Sequence, residues 1–479
     1  MPKPLNRKSA GIASNRPVKV LQFGEGNFLR AFADWIIDLL NERTNFNGDV
    51  QIIQPLSKGT GEMINEQDGL YHVVLNGILN GKPTTVIRLI QCVRGVINPY
   101  EDFKGYLRTA ENPDLQIIIS NTTEAGIAFH PDDTNPEKLP SSFPGKLTVL
   151  LYHRFKFFSG APGKALTLIP CELIDRNGQK LRDAIIQYIR LWDLPDAFLN
   201  WIQHHTTFCN TLVDRIVPGF PKETITQIQD AIGFEDNLVV MAEPFHLWVI
   251  EGPDQVGQLI PAADAGLDVL FVKDQTPYRT RKVRILNGAH TSLVPVAYLH
   301  GLRTVREAVE DPFAGTFLKE AIEQEIIPTL DLPEKELRQF AHSVLERFRN
   351  PFIKHELSAI ALNSISKYKV RVLPSFLEYV SRKGKLPERL LYSLACLIRF
   401  YKGEWRGEAL PVNDDPAILQ RFEEAWQSGD VACVASGILS DTELWDTDLT
   451  HIPGVTERVS AHLEMLQSQD IEAAWAGKP

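Results

Sequence analysis

Cysteine is scarce in this sequence and forms no pattern that holds a metal or a disulfide framework. The chain has five cysteines among 479 residues, and no two of them form a CxxC pair. His204, His205 and Cys209 lie close together, but nothing nearby completes a ligand set around them. An odd, scattered set of cysteines fits a reducing compartment. We therefore expect a cytoplasmic protein without a bound metal.

Long apolar runs and long basic runs are also missing. No stretch approaches the roughly 18 consecutive apolar residues of a membrane span, so no membrane association is expected. The formal net charge is −10, which makes nucleic acid an unlikely partner on electrostatic grounds. The first residues are polar and basic without an apolar core. They predict a disordered lead-in over residues 1–16 and not a signal peptide.

What remains is the composition of an ordinary globular protein. Hydrophobic residues make up 44% and charged residues 23%, which argues against disorder. HExxH, Walker A and GxSxG motifs are absent. A chain of this length exceeds one hydrophobic core and predicts at least two domains.

The clearest local pattern is a strand, a glycine turn and a helix near the amino terminus. Val18–Phe23 is apolar and β-rich, Gly24 and Gly26 follow it, and apolar residues recur at helical spacing over Asn27–Arg43. Such a turn lets a pyrophosphate approach the helix N-terminus, as in dinucleotide-binding βαβ units. The general GxGxxG pattern is incomplete, because Leu29 occupies the third glycine position.

The following segments extend a parallel sheet. Val50–Leu56 predicts the next strand, but no acidic residue ends it to hold a ribose, which leaves NAD and NADP both open. Residues 70–79 and 84–97 predict a β-hairpin around Asn80 and Gly81. Leu115–Ser120 predicts a buried strand whose following loop, residues 121–126, forms a second wall of a cofactor cleft.

The α/β pattern ends near Lys273, and helical periodicity dominates from Thr276 onward. The prediction is an α/β fold: a Rossmann-like dinucleotide-binding domain over residues 17–275, then a mostly α-helical domain over residues 276–479. No feature of the sequence decides the oligomeric state, and a homo-oligomer remains possible.

The helical part begins with Lys282, Asn287 and His290. If the stretch is an α-helix, Asn287 lies about 140° and His290 about 80° around from Lys282, so all three share one face. Gly288 is a poor helix former, which predicts a close backbone approach there. The alternative interpretation is a solvated lysine beside two satisfied polar residues.

Four motifs in this order resemble the polyol-specific long-chain dehydrogenases, the mannitol dehydrogenase family. They are GxGxFxRA at residues 24–31, TExG at residues 123–126, DRI at residues 214–216 and KxxxxNxxH at residues 282–290. The resemblance implies metal-independent hydride transfer with NAD(H). It implies Lys282 as the general acid and base, Asn287 as the oxyanion donor and His290 as a substrate or lysine contact. The implied cofactor-binding residues are Phe23, Gly24, Gly26, Asn27, Phe28, Arg30, Thr123 and Glu124.

The chain departs from the family pattern around the implied substrate. Arg279 stands where polyol enzymes carry an acid, Cys171-Glu172-Leu173 replaces a CDN turn, and Ala359 replaces an arginine eight residues before Lys367. These exchanges favour a sugar-acid substrate, since a carboxylate needs a basic partner. The predicted substrate contacts are Asp214, Arg279, Lys354, His355 and Lys367.

The implied reaction is NADH-linked reduction of D-tagaturonate to D-altronate. Reduction of fructuronate and oxidation of mannitol or another polyol are alternatives within the family. A non-catalytic protein that senses NADH is an alternative of another class.

Overall fold

The computed structural model describes residues 2–13, 15–79, 81–123 and 125–477. They group into two compact units. Unit 1 extends from the amino terminus to Asn76 and from Thr84 to Gln275, and unit 2 combines Gly77–Pro83 with the residues from Thr276 onward. The short segment Gly77–Pro83 lies inside the predicted first domain but groups with the second unit.

The strands that precede Thr276 follow one another as short, mostly apolar segments. In chain order they are β1 (Lys3–Pro4), β2 (Val18–Phe23), β3 (Asp49–Ile53), β4 (Tyr71–Leu79), β5 (Lys82–Ile90), β6 (Val93–Ile97), β7 (Ile117–Ser120), β8 (Thr167–Pro170), β9 (Thr207–Phe208), β10 (Asn210–Asp214), β11 (Phe234–Glu235), β12 (Val240–Ala242), β13 (Leu247–Glu251) and β14 (Val269–Val272).

The helices of unit 1 alternate with these strands. They are α1 (Arg7–Ala10), α2 (Asn27–Ala31), α3 (Ala33–Arg43), α4 (Gly61–Glu66), α5 (Phe103–Arg108), α6 (Phe143–Phe157), α7 (Asn177–Leu191), α8 (Asp196–His204), α9 (Ile225–Ile232) and α10 (Gln255–Leu259), with 3₁₀ turns at Thr109–Glu111 and Pro162–Lys164.

The central sheet of unit 1 has the strand order β6-β3-β2-β7-β8-β9, and its neighbouring strands are parallel. Numbered along the chain, this is the 3-2-1-4-5-6 order of a Rossmann fold. Phe23 pairs with Ile53 on one side and with Ser120 on the other, so these strands end level. Their carboxyl ends form one edge of the sheet, where such folds bind ligands.

Two apolar cores cover the two faces of this sheet. Alternation along β2 sends Val20 into one core and Leu21 into the other, as a strand with both faces buried requires. Helix α3 supplies Ile36 and Leu40 to the first core, and α6 supplies Leu147 to the second. The sheet with its two helical layers therefore holds the end of β2 in a fixed place.

The prediction of a disordered lead-in is wrong for the described residues of that segment. Strand β1 pairs in parallel with β11, and Asn6 caps α1 through a reciprocal pair of hydrogen bonds with Ser9. Arg7 donates to the carbonyls of Gln91 and Val93. The partners of β1 and of Arg7 lie far away in the chain, so the local composition gave no signal of these contacts.

The second arm of the predicted hairpin is two strands. Residues 84–97 divide at Gln91 and Cys92 into β5, which lies beside β4, and β6, which joins the central sheet. The Gln91 backbone N–H donates to the carboxylate of Asp38 at 2.9 Å, where the chain changes sheets. Asn80, at the predicted turn, lies outside the described residues.

Unit 2 is built from helices. They are α11 (Thr276–Arg281), α12 (Gly288–Leu299), α13 (Val305–Glu310), α14 (Pro312–Glu320), α15 (Glu334–Phe348), α16 (Leu357–Ile360), α17 (Ser364–Arg371), α18 (Leu373–Lys383), α19 (Glu388–Phe400), α20 (Pro416–Gln427), α21 (Val431–Ser440), α22 (Thr442–Trp445), α23 (Val455–Ser468) and α24 (Ile471–Ala476). Lys282–Asn287 and Ala321–Ile326 are π-helical, Ile327–Thr329 and Leu449–His451 are 3₁₀ turns, and β15 (Glu404–Trp405) pairs with β16 (Glu408–Ala409).

Helices α12 and α19 form the centre of unit 2 and are buried on most of their sides. Helix α12 packs against α19, α19 against α23, and α23 against α21. The buried carboxylate of Glu325 accepts hydrogen bonds from the backbone of Arg389 and Leu390 and so caps the first turn of α19. The helix that begins at Gly288 is thus held rigidly along its length.

Candidate active site

The glycine turn after β2 lies tightly against the neighbouring strand ends. Gly24 has φ +121°, a conformation that side chains disfavour. Its N–H donates to the Ile53 carbonyl at 3.1 Å, and a Cβ at Gly24 would lie 3.0 Å from the Asn121 carbonyl oxygen. Phe23 is fully buried at the end of β2. Phe23 therefore anchors the turn, and the turn itself requires glycine at position 24.

The other side of the turn is exposed and free of side chains. A Cβ at Gly26 would have no atom within 4 Å. Asn27 is exposed at the start of α2, and Phe28 is half-buried and stacks on Phe32 at 5.0 Å. A phosphate can approach such a backbone closely, since no side chain stands in its way. The turn therefore fits a dinucleotide.

Arg30 is placed differently from its neighbours in the motif. Its side chain is buried, and the guanidinium donates to the Glu25 carbonyl at 3.1 Å, the Leu238 carbonyl at 2.6 Å and Asn27 Oδ1 at 2.7 Å. It also lies over the ring of Tyr71. All three guanidinium nitrogens have protein acceptors, two of them in the turn, and the contact of Arg30 with a cofactor stays a prediction.

The loop after β7 is fastened by Glu172, a residue that the sequence analysis noted only as a departure. The buried Glu172 carboxylate accepts hydrogen bonds from Ser120 Oγ, the Thr122 backbone N–H and Thr122 Oγ1 at 3.0–3.1 Å. Burial raises its pKa. Thr123 is exposed beside this clamp, and the predicted Glu124 lies outside the described residues. Leu173, at the position of the family's second asparagine, is 64% exposed.

The end of β3 lacks a ribose-binding acid, and Gln54 does not replace it. The Gln54 side chain is buried, donates to the Leu56 carbonyl and accepts from the Gly61 N–H. A cavity of about 820 Å³ lies beside it. Its lining includes Lys58 and three carboxylates, those of Glu62, Glu66 and Glu101.

Asp214 ends β10 opposite Leu247 and is buried. The next residue, Arg215, donates to the Glu243 carbonyl at 2.9 Å and the Ala31 carbonyl at 2.7 Å, and its guanidinium lies over Trp35. Burial lowers the pKa of Arg215 to about 9. Arg215 therefore ties β10 to the helix that follows the glycine turn.

Lys282 and Asn287 are the first and last residues of a π-helical turn. The Gly288 N–H donates to the Val283 carbonyl five residues back, which is the bonding pattern of a π-helix. The sequence analysis assumed α-helical geometry and placed Asn287 about 140° around from Lys282. A π-turn is wider and brings residue i+5 close to the position above residue i. Lys282 and Asn287 are both half-buried.

His290 lies three residues beyond the π-turn, among other rings. It stacks on Phe348 with ring centroids 4.0 Å apart and meets His355 edge-on at 5.0 Å. Its Nε2 is buried and has no hydrogen-bond partner among the described residues. Burial, followed by the charges of His355, Arg347 and Arg371, lowers the pKa of His290 well below its ordinary value. The ring is therefore neutral and keeps a nitrogen available for a ligand.

The predicted basic contacts do not all gather at His290. His355 does, and burial lowers its pKa. Lys354 is 80% exposed and pairs with Glu356 at 2.7 Å, so the structure does not bring it to the cluster. Lys367 donates to the Ile360 carbonyl at 2.9 Å, and Arg279 is half-buried in α11. Sequence reasoning missed Arg371, whose only signal was its position four residues after Lys367.

The part of the chain that the structure describes has neither a metal-binding cluster nor a membrane-spanning helix. No group of three His, Cys, Asp or Glu side chains there could hold a metal ion. No helix in the same part of the chain is both long and apolar enough to cross a membrane.

Comparisons with known proteins account for nearly the whole chain. Residues 18–261 match the mannitol dehydrogenase Rossmann domain, and residues 274–467 match the mannitol dehydrogenase C-terminal domain. The chain belongs to the mannitol dehydrogenase family. It is therefore an oxidoreductase that acts on CH–OH groups.

Several relatives in this family share the full length of the chain. It is 47% identical to the altronate oxidoreductase of Bacillus subtilis strain 168 over 98% of this chain and 97% of that protein. It is also 47% identical to the altronate oxidoreductase of Phocaeicola vulgatus, over 98% of both chains.

Two solved structures share the fold at lower identity. A D-sorbitol dehydrogenase in substrate-free form superposes with a TM-score of 0.81 at 23% identity, covering 99% of this chain and 100% of that one. The Pseudomonas fluorescens mannitol 2-dehydrogenase, in a ternary complex with NAD and D-mannitol, gives a TM-score of 0.65 at 21% identity, with 99% of both chains covered.

Proposed function

We propose that this enzyme catalyses the reversible, NADH-linked reduction of D-tagaturonate to D-altronate. The observation that carries the reaction type is the π-turn that starts at Lys282 and ends at Asn287, followed by a neutral His290. The relatives named altronate oxidoreductase support the choice of substrate.

Each residue of the turn has a distinct task in this proposal. The Lys282 ammonium gives its proton to the carbonyl oxygen as the ketone becomes a secondary alcohol. The Asn287 amide donates a hydrogen bond to the same oxygen while it carries negative charge, which is commonly worth about 3 kcal/mol of barrier. His290, uncharged, holds a substrate hydroxyl through Nε2. In the reverse direction Lys282 accepts the hydroxyl proton.

The Rossmann unit would hold the cofactor at the glycine turn. Gly24 and Gly26 would admit the pyrophosphate, and the loop that Glu172 fastens would face the nicotinamide. Bound NADH supplies the hydride to the carbonyl carbon, so that the alcohol and NAD⁺ are the products. The cavity beside Gln54 has three carboxylates and one lysine, and this excess of negative charge favours NADH over NADPH because it repels a 2′-phosphate.

The proposal is tested by following NADH absorbance with D-tagaturonate, D-fructuronate and D-fructose in parallel, and with NADPH as the alternative cofactor. We expect D-tagaturonate with NADH to give the highest kcat/KM. Turnover of mannitol without turnover of D-altronate would overturn the substrate assignment. A wild type that binds NADH but turns over no sugar or sugar acid would favour a sensor.

The role of Lys282 is tested with Lys282→Met. Loss of general acid catalysis lowers kcat by about 10²–10⁴-fold. NADH binding, measured by fluorescence titration, should remain at the wild-type level. Activity within tenfold of the wild type would contradict the assignment.

A further inference from the structure

Helix α17 carries two cations one helical turn apart on the same face. Lys367 and Arg371 are four residues apart, a spacing at which like charges oppose each other and destabilise a helix. Arg371 contributes, after burial, to the lowered pKa of Lys367. Lys367 uses its ammonium to donate to the Ile360 carbonyl. The other cation on this face, Arg371, has no evident stabilising role in the fold.

Gly288 fixes Arg371 beside the π-turn. A Cβ at Gly288 would lie 3.0 Å from the Arg371 carbonyl oxygen, so the end of α17 lies directly on the start of α12. From there the Arg371 side chain reaches α12 with Nη1 3.5 Å from Thr291 Oγ1, at the residue next to His290. The predicted close backbone approach at Gly288 is confirmed, and Arg371 is its partner.

Basic groups surround His290. His355, Arg347 and Arg371 all oppose its protonation. Asp414 acts on Lys367, but its oxygens already accept from the Tyr401 hydroxyl and from the backbone of Ile365 and Asp415.

Two other arginines of unit 2 have carboxylate partners, whereas Arg371 has none among the described residues. Arg281 pairs with Glu336 at 2.8 Å, and Arg389 pairs with Glu320 and Glu325. The half-buried Arg371 guanidinium forms no ion pair with any described residue, and its one side-chain hydrogen bond is the long contact with Thr291. A partly desolvated guanidinium of this kind is a ready site for an anion.

We propose that Arg371 binds the carboxylate of the substrate and so makes the site specific for keto sugar acids. The inference rests on the proposed reaction and adds to it the residue that selects the substrate class. A planar guanidinium can bind a carboxylate through two parallel hydrogen bonds. A hydroxymethyl group at the same place leaves that guanidinium without a counter-charge, and neutral ketoses are correspondingly poor substrates.

The test compares D-tagaturonate with D-tagatose, which carries a hydroxymethyl group in place of the carboxylate. We expect Arg371→Met to raise KM for D-tagaturonate roughly 100-fold with a smaller change in kcat, since the lost contact serves binding. D-Altronate binding, measured by calorimetry, should weaken by a similar factor. Arg371→Lys should retain part of the affinity, and D-tagatose turnover should stay constant or rise.

Two controls separate this role from a structural one. Arg382→Met removes an exposed arginine paired with Glu378 and Asp331, and should leave both substrates unaffected. Gly288→Ala should raise KM for D-tagaturonate by displacing Arg371, whereas Gly437→Ala meets no atom within 4 Å and should not.

The outcomes distinguish this inference from the proposed function. A wild type inactive on every keto sugar acid contradicts the proposed function before any variant is made. An unchanged KM in Arg371→Met contradicts the Arg371 assignment alone, as do equal losses on both substrates with a lowered Tm. If the wild type prefers D-fructuronate, the same comparison with D-fructose tests Arg371.

Discussion

Unit 1 and unit 2 differ in how completely their polar groups are hydrogen-bonded, as a comparison of the glycine turn with the surroundings of His290 shows. At the turn, the Arg30 nitrogens and the Glu172 oxygens have protein partners within 3.2 Å. Around His290, a ring nitrogen and a guanidinium among the described residues lack such partners or hold only a long one. The polar groups at the turn stabilise the local fold. Those around His290 are placed to bind a ligand, whose own polar groups would supply the missing hydrogen-bond partners.

Of the changes that test this comparison, His290→Phe has the largest expected effect. This change keeps the ring stack on Phe348 and removes the buried nitrogen that has no partner. We expect kcat/KM for D-tagaturonate to fall about 10²–10³-fold. The free energy of unfolding, measured in urea, should stay level or rise, because an unpaired polar atom is lost. A marked loss of stability with normal activity would show that His290 stabilises the fold and does not bind the substrate.

The next effect is expected from Arg30→Met in unit 1. Removing the guanidinium leaves two backbone carbonyls and the Asn27 amide oxygen without their donor, at a cost of about 3 kcal/mol in the free energy of unfolding. The matched control is Lys354→Met, which removes an exposed cation and should leave the free energy of unfolding nearly unchanged. Equal stability of the two variants would show that burial at Arg30 does not matter.

The smallest effect is a pH dependence that originates at Asp34 in α3. Asp34 accepts from the Tyr71 hydroxyl at 2.7 Å and from Gln22, and burial raises its pKa from 3.8 to about 7. Between these values the folded state holds a proton that the unfolded state has lost. Asp34 therefore makes stability fall as pH rises, by at most about 1.4 kcal/mol per unit.

Asp34→Asn removes this titration. Urea unfolding at pH 5, 6 and 7 should show a smaller decline with pH in the variant than in the wild type. If the free energies of unfolding of the two proteins fell in parallel with pH, the ionisation would belong to a residue other than Asp34.

The sequence was most informative where structure follows from local rules. Short apolar runs and the glycines after β2 predicted the parallel sheet and its ligand-binding edge, because burial on both faces of a sheet and a positive φ restrict the residue types. Gly288 likewise predicted a close backbone approach before its partner was known.

The sequence was least informative where a side chain's partner lies far along the chain. Arg30 matches a motif, yet only the fold shows its guanidinium bonded to Leu238. Lys354 was predicted to bind the substrate, but its side chain is exposed to solvent and pairs with Glu356. Arg371 belongs to no motif, and its placement depends on how α17 lies on α12. The assumed α-helical geometry at Lys282 was wrong because a π-turn leaves no clear signature in residue types.

The π-turn also bears on how this gene tolerates change. A π-turn amounts to one extra residue in a helix, so deleting any single codon between those of Lys282 and Asn287 would restore an ordinary α-helix. Such a deletion would leave Lys282, Asn287 and His290 in the protein, and it would keep Lys282 and Asn287 on one side, since residues four apart in an α-helix differ by about 40°. The spacing of these residues along the chain can therefore shorten by one without separating them, because the turn then changes from π to α.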